Sequence, residues 1–468
     1  MNTFDFDDDE LDPSQRERSD EEINRFKELL KDGSNPITNS DALEEIINFY
    51  FDEEKYDQAL RYVDMLIALV PYSADAWERK AMILNNLQRY SEALECYDQA
   101  LTLNPVDADL LVNKGITLDN LERHEDALEL FDKALEIDPN NEGALFNKGL
   151  MLEKLERYEE AVPLFKFVVD ENPEHKEAWY ELGFCYDYLN RFDEAIACYD
   201  RHIELDPYNF NAWYNRGVAF NRAGMFNKAI ESYDMALAIK EDFGAAWYNK
   251  GNAYANMGKL YDAIECYKRA VTIDPEDILA WYNLGSAYEE LSQCKEAIRC
   301  FTKVIKLNPQ HYEAYFGRGS CYDMLEQYRK ALSDYNKALA IRSDDAEIWY
   351  AKANAEYNLG RLRESLASIR MVLKLDPKNH EAWFDYGETL HDVGYLQEAL
   401  KAYHRAIELK PGWADPYLRI AEILYKLGMI QEAADALQQA LRLNPGAIEI
   451  IKSAKGGLQR LHEIMDSR

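Results

Sequence analysis

The stretch AWYNKGNAYANMG, residues 246–258, decides the architecture because close copies of it recur along the chain. AWYNRG occupies residues 212–217 and AWYNLG occupies residues 280–285, and weaker copies begin at residues 178 and 382. The tryptophans of these copies are 34 residues, or a multiple of 34, apart. A fixed period of this length is typical of repeat proteins, in which each repeat packs on its neighbours instead of on one central core.

Prolines follow the same period. Because the residue before a proline avoids the α-helical region, each of these prolines predicts the end of a helix. Only Glu241 and Ser343 interrupt the series. Its members are Pro71, Pro105, Pro139, Pro173, Pro207, Pro275, Pro309, Pro377, Pro411 and Pro445.

Small and aromatic residues also recur at fixed places when each repeat is numbered with its tryptophan at position 4. From residue 74 onward position 8 is Gly or Ala, whereas the first repeat has Leu43 and Ile47 at positions 4 and 8. Position 20 is Ala except for Ser365, and position 24 is mostly Tyr or Phe. Positions 4, 8 and 11 share one helical face, and positions 20, 24 and 27 share another. Position 15 predicts a left-handed helix cap where it is Gly or Asn, at Asn190, Gly224, Gly258, Gly360, Gly394 and Gly428. Each repeat is therefore predicted to be a helix, a short turn and a second helix.

This pattern resembles the tetratricopeptide repeat family, and the resemblance covers residues 40–447 as twelve units of 34 residues. It implies an all-α fold, an α-solenoid wound as a right-handed superhelix. The first helix of each repeat would line a concave groove that binds peptides or proteins. Outside the repeats we expect an acidic disordered tail over 1–17, an N-terminal capping helix over 18–39 and C-terminal capping helices over 448–468.

Composition narrows the class of partner. The chain has 53 Lys and Arg against 86 Asp and Glu, a net charge of -33. Such a balance argues against nucleic acid and anionic membranes as partners. The seven cysteines include no CxxC pair and fall largely at common repeat positions, so we predict buried thiols in a reducing cytoplasm.

Catalytic signatures are missing from the sequence. It has no phosphate-binding loop, no dinucleotide fingerprint and no HExxH motif. The segment DPNNEG at 138–143 starts like a calcium loop, but Gly149 stands where a bidentate Glu is needed. We therefore predict a protein that is not an enzyme and that has no cofactor and no metal site.

Asparagines recur on the face of the first helix that lies opposite the core. We call positions 2, 5, 6, 9, 12 and 13 the groove face. A row of amides offers donors and acceptors to the backbone of an extended peptide, and it resembles the asparagine ladder in the repeat domain of O-linked N-acetylglucosamine transferase, whose catalytic domain has no counterpart here. Asparagine is also common at this position in the family whatever is bound, so a family consensus without a role in binding is an alternative interpretation. We expect these side chains to be exposed and to matter little for stability. Position 6 holds Asn113, Asn147, Asn215, Asn249 and Asn283.

Aromatic residues stand beside the asparagines at position 5. They suit a peptide groove because they combine apolar area with a polar edge, although packing between neighbouring first helices would explain each ring equally well. The candidates for peptide binding are Tyr180, Tyr214, Tyr248, Tyr282 and Tyr350.

Acidic residues outnumber basic ones on the groove face. From residue 74 onward it carries 19 acidic and 5 basic residues, which favours a basic or neutral protein segment as ligand, unless the face is merely solvated. Position 5 has no Lys, so the clamp that grips C-terminal carboxylates is not expected. The sequence thus predicts a non-catalytic adaptor that holds an extended segment. The alternatives are a self-associating structural scaffold and a regulatory subunit of an enzyme.

Overall fold

The computed structural model describes residues 40–446 and 459–462, and it divides into two units after Met225. The described part of the first unit consists of eleven α-helices: α1 (Ser40–Asp52), α2 (Tyr56–Leu69), α3 (Ala74–Asn86), α4 (Tyr90–Leu103), α5 (Ala108–Asp119), α6 (His124–Ile137), α7 (Glu142–Lys154), α8 (Tyr158–Glu171), α9 (Lys176–Tyr188), α10 (Phe192–Leu205) and α11 (Phe210–Arg222).

The second unit continues with helices of the same lengths. Its described part comprises α12 (Phe226–Ile239), α13 (Gly244–Asn256), α14 (Leu260–Ile273), α15 (Ile278–Glu290), α16 (Cys294–Leu307), α17 (Tyr312–Met324), α18 (Tyr328–Ile341), α19 (Ala346–Asn358), α20 (Leu362–Leu375), α21 (His380–Val393), α22 (Leu396–Leu409), α23 (Asp415–Lys426) and α24 (Ile430–Leu443).

Helices pair along the chain. Within each unit the odd-numbered helix packs most extensively on the even-numbered helix that follows it, and then on the second helix of the preceding repeat. We call the odd-numbered helices first helices and the even-numbered ones second helices. Residues 40–446 contain no β-strand. The predicted all-α solenoid class is confirmed.

Glycine at position 8 makes room for the aromatic ring at position 24 of the same repeat. A Cβ atom on Gly251 would lie 2.6 Å from Cε1 of Tyr267, and one on Gly285 would lie 2.8 Å from Cε1 of Phe301. Both distances are shorter than carbon atoms approach without strain. The neighbouring Ala263 is fully buried. The two helices of these repeats therefore approach closely, and the volume of the side chains between them sets the distance.

Position 15 adopts a left-handed conformation at every turn between the helices of a repeat. The sequence predicted such a cap only where Gly or Asn occurs, yet φ is also between 55° and 59° at Glu, Gln and Ser residues. A left-handed conformation costs a side-chain-bearing residue roughly 1–2 kcal/mol, so the fold overrides local preference here. The additional left-handed residues among those described are Glu54, Gln88, Glu122, Glu156, Ser292 and Glu326.

Proline is not required to end the second helices, although each one followed by a proline ends two residues before it, as predicted. Where proline is missing, α12 still ends at Ile239 and α18 at Ile341, the same repeat position as elsewhere. A bond that the sequence did not predict holds these turns: the indole nitrogen of Trp247 donates to the carbonyl of Glu241 at 3.0 Å, and that of Trp349 to the carbonyl of Ser343 at 2.9 Å. Five further tryptophans donate to the equivalent proline carbonyl, namely Trp77, Trp179, Trp213, Trp281 and Trp383.

The predicted end segments fall largely outside the described residues. The tail over 1–17 and the capping helix over 18–39 lie wholly outside them, and of 448–468 only residues 459–462 are described. There Leu461 is fully buried beside Ala421, Ala433 and Leu437. The capping helices stay predictions. All seven cysteines are buried, as predicted.

Candidate peptide-binding face

The asparagines of the groove face connect neighbouring repeats. Nδ2 of Asn215 donates to the hydroxyl of Tyr180 at 2.7 Å. Nδ2 of Asn283 donates to the hydroxyl of Tyr248 at 3.2 Å and to Oδ1 of Asn252 at 3.0 Å. The asparagines are half-buried, so the expectation that they are exposed was wrong. Neighbouring first helices lie close enough for the amides to bond across, and these bonds cover part of each side chain.

The remaining asparagines are placed less uniformly. Nδ2 of Asn113 donates to Oε1 of Glu78 in the preceding repeat at 2.9 Å. Nδ2 of Asn147 instead donates to the carbonyl of Gly143 in its own helix at 2.8 Å. Asn249 is half-buried in the second unit. The five amides therefore share a repeat position but not one pattern of hydrogen bonds.

Other residue types at position 6 also bond to the preceding repeat. The hydroxyl of Tyr350 donates to Oδ2 of Asp385. Nε of Arg419 lies 2.9 Å from Oε1 of Glu388. We call these contacts, together with those of Asn113, Asn215 and Asn283, the inter-repeat pairs. In these pairs the residue at position 6 complements the residue at position 5 or 9 of the preceding repeat. That partner lies 35 or 31 residues upstream in the sequence.

The position-5 rings pack on the aromatic ring of their own second helix. Ring centroids are 5.9 Å apart for Tyr180 and Tyr199, and 6.1 Å apart for Tyr248 and Tyr267. Burial raises the pKa of Tyr180 to about 12. The other three candidate tyrosines are half-buried as well, namely Tyr214, Tyr282 and Tyr350. The rings of the position-5 tyrosines pack against neighbouring side chains, and their hydroxyl groups lie at the groove face.

Three consecutive repeats carry a carboxyl group at position 12, and the first and third of these groups pair with a cation. Asp119 accepts from Nζ of Lys154 at 2.6 Å. Asp187, which is 8 % exposed, accepts from Nη1 of Arg222 at 2.6 Å. In each case the cation stands at position 13 of the next repeat, so these two carboxylates are neutralised within the chain.

Between them, the carboxyl group of Glu153 meets another carboxyl group, that of Glu181. The two carboxyl groups lie near each other, and Oε2 of Glu153 is buried. Like charges this close favour one protonated carboxyl group. Burial, and then the charge of Glu181, raises the pKa of Glu153 to about 8. Burial also raises the pKa of Glu181. Sequence reasoning missed this pair, although its signal is a Glu at position 12 followed 28 residues later by a Glu at position 6.

Metal chemistry and membrane insertion find no support in this part of the chain. Among residues 40–446 and 459–462, no three His, Cys, Asp or Glu side chains are grouped to hold a metal ion. No helix in those ranges is both long and apolar enough to cross a bilayer.

His202, at a core position, is 3 % exposed and has Nδ1 2.7 Å from the carbonyl of Lys176, so it is a packed structural histidine, as its position predicts.

Family models of the tetratricopeptide repeat match several stretches of the chain: residues 48–95, 84–142, 130–162, 177–209 and 210–243. The chain belongs to the tetratricopeptide repeat family. The model of the Cilia and flagella-associated protein 70 C-terminal domain matches residues 241–455. Tetratricopeptide repeats are generally a non-catalytic, protein-interaction fold, so this chain is a protein-interaction adaptor or scaffold.

Two solved structures of similar proteins each match less than half of this tetratricopeptide repeat chain. YrrB, described as a TPR protein with an unusual peptide-binding site, is 26% identical with a TM-score of 0.37, over 40% of this chain and 97% of its own. The MamA protein is 25% identical with a TM-score of 0.35, over 37% of this chain and 96% of its own. No curated protein matches the chain.

Proposed function

We propose that the chain is a non-catalytic adaptor whose groove face binds an extended protein segment that carries basic residues. One observation carries the proposal: Glu153 and Glu181 are packed carboxyl against carboxyl, with the pKa of Glu153 raised to about 8. The groove face of the first unit therefore holds more acidic groups at this point than its own cations neutralise.

A basic side chain of a partner would relieve that excess. On either side, Asp119 and Asp187 already have Lys154 and Arg222 as partners, so the Glu153–Glu181 pair is where a further cation gains most. Binding there would replace the shared proton by an ammonium or guanidinium group. Charge-assisted hydrogen bonds of this kind are stronger than neutral ones.

In the first unit, Asn147, Tyr180 and Asn215 stand in the same repeats as the carboxyl pair or in the next repeat, and they would contact the backbone of the bound segment. We assign this role, each within its own unit, to the ten candidates named from the sequence. Six of them are also partners in the inter-repeat pairs, namely Asn113, Asn215, Asn283, Tyr180, Tyr248 and Tyr350. Because all seven cysteines are buried thiols, we place the adaptor in a reducing cytoplasm.

The proposal is tested with a fluorescent ten-residue peptide of Gly, Ser and Lys, measured by anisotropy at rising salt. We expect binding that weakens steeply with salt, mainly through slower association. The double variant Glu153→Gln, Glu181→Gln should bind about tenfold more weakly, as expected for loss of one charge-assisted contact. The matched control, Glu159→Gln with Glu171→Gln, makes the same charge change at exposed residues of α8. Equal weakening in both double variants, or affinity that does not change with salt, would overturn the proposal.

A further inference from the structure

An apolar pocket opens on the groove face between α1 and α3. It has a volume of about 320 Å³, at the lower end of the range of roughly 300–1,000 Å³ for ligand pockets, so it suits one bulky side chain. Ile47 and Ile83 are buried and form its floor, and Phe51 and Met82 form its walls. Met82 is 39% exposed. The pocket lies where α1 and α3 present apolar atoms beside polar residues of the groove face.

The rim of the pocket is polar and held in place. Arg79 donates to Oδ1 of Asn48, and Glu78 accepts from Nδ2 of Asn113 at 2.9 Å. These bonds fix the rim side chains before any ligand arrives, which reduces the entropy lost on binding.

The charge around the rim is negative on the side of α5. Burial, followed by the nearby carboxylates Asp107, Asp75 and Asp109, raises the pKa of Glu78, while its bond from Asn113 opposes the rise. Four acidic groups thus stand on that side of the pocket, which also has Arg79 at its rim. A basic residue complements this side of the mouth.

We propose that this pocket anchors the bound segment by one bulky apolar side chain that has a basic residue next to it. The inference rests on the proposed function, since it describes one residue pair of the same extended ligand. Its consequence is that the anchor sets the register of the segment: the apolar residue enters between α1 and α3, and the basic stretch continues along the groove face towards α9.

Three fluorescent ten-residue peptides test the anchor on the full chain. The first is the Gly, Ser and Lys peptide above. The second has one Ser next to a Lys replaced by Leu, and the third has that neighbouring Lys also replaced by Glu. We expect the Leu peptide to bind about tenfold more tightly than the Ser peptide, the ratio for burying roughly half of a leucine side chain. The Leu–Glu peptide should lose most of that gain.

Met82→Ser should remove most of the affinity advantage of the Leu peptide over the Ser peptide. Met324→Ser is the matched control, because Met324 is an exposed methionine of the groove face on α17. A photoactivatable leucine in the same peptide should cross-link to α1 and α3. Circular dichroism melts of both variants check that the fold is intact.

The outcomes separate the two proposals. If the Ser peptide binds with the expected salt dependence and the Leu peptide binds no better, the proposal that the pocket binds an apolar side chain is wrong, and the proposed function stands. The same result is expected if residues 1–39 of the chain, or a second copy of the chain, occupy the pocket. Cross-links away from α1 and α3 also overturn the anchor. If none of the peptides binds, both proposals fail.

Discussion

Gly285 and Asn283 lie two residues apart on α15, but different rules fix them. Gly285 faces Phe301 of its own repeat, and the same contact between a glycine and a ring recurs in both units. Asn283 faces Tyr248 of the preceding repeat, and the equivalent pair elsewhere is Tyr350 with Asp385. The core face is governed by volume and repeats closely, whereas the groove face is governed by pairwise complementarity and varies. Individuality of the repeats therefore resides on the groove face.

The largest expected effect comes from breaking the volume rule. Gly285→Leu should lower the free energy of unfolding by about 1–3 kcal/mol through overpacking against Phe301, despite the better helix propensity of leucine. Thermal melts followed by circular dichroism measure this. Glu290→Leu places the same side chain at an exposed position of α15 and should change stability by less than about 0.5 kcal/mol. A melting temperature unchanged or raised in Gly285→Leu would contradict the close packing.

Breaking an inter-repeat pair should have the next largest effect. Asn283→Ala removes two hydrogen bonds and leaves the groups of Tyr248 and Asn252 without that partner, so we expect a loss of about 0.5–1.5 kcal/mol. Asn256→Ala, at an exposed groove-face position of α13, is the control in denaturant titrations. Equal and negligible losses in both variants would restore the expectation from sequence that these asparagines do not support the fold.

The carboxyl pair gives a pH-dependent prediction. Because the pKa of Glu153 is raised to about 8, the folded state holds a proton that the unfolded state has released, and stability falls as the pH rises from about 4.5 to 8. Glu153→Gln keeps a donor to Glu181 at every pH. It should therefore be more stable than the unaltered chain at pH 8, and the gain should vanish towards pH 4.5.

The exposed variant Glu159→Gln provides the reference for this pH series. Its stability should follow that of the unaltered chain at each pH. If Glu153→Gln also follows that curve, the two carboxyl groups do not share a proton.

The smallest effect should come from exchanging one inter-repeat pair for another. Asn215→Asp would let the hydroxyl of Tyr180 donate, as Tyr350 does to Asp385. We expect a change of about 0.5 kcal/mol or less, which is smaller than for Asn215→Ala in the same titration. A larger loss for Asp than for Ala would show that this site requires the amide and that the two pairs are not equivalent.

The sequence predicts the core face well because the glycine and the aromatic ring that meet there belong to the same repeat. Gly251 and Tyr267 recur at fixed spacing, so the period alone reveals their contact. The left-handed turns were predicted only in part: Gly258 carries the signal, but Glu156 adopts the same conformation because the flanking helices impose it.

The groove face was predicted less well because its pairs join residues of different repeats. Asn215 and Tyr180 were both named as candidates, but their bond to each other was not foreseen. Glu153 and Glu181 were counted only as part of an acidic face, since charge counting does not reveal which carboxyls touch. The pocket beside Met82 was missed because it needs the spacing of two helices.

The bonds from tryptophan to the turns give the chain a set of built-in reporters. Seven of its eight tryptophans each donate their indole hydrogen to the carbonyl of one turn, and Trp413 donates to Asp415 instead. An indole N–H gives its own signal in a nuclear magnetic resonance spectrum, and its exchange with solvent deuterium follows opening of its own turn. Local opening free energies differ along a structure, so seven signals would read out, turn by turn, where the solenoid loosens first.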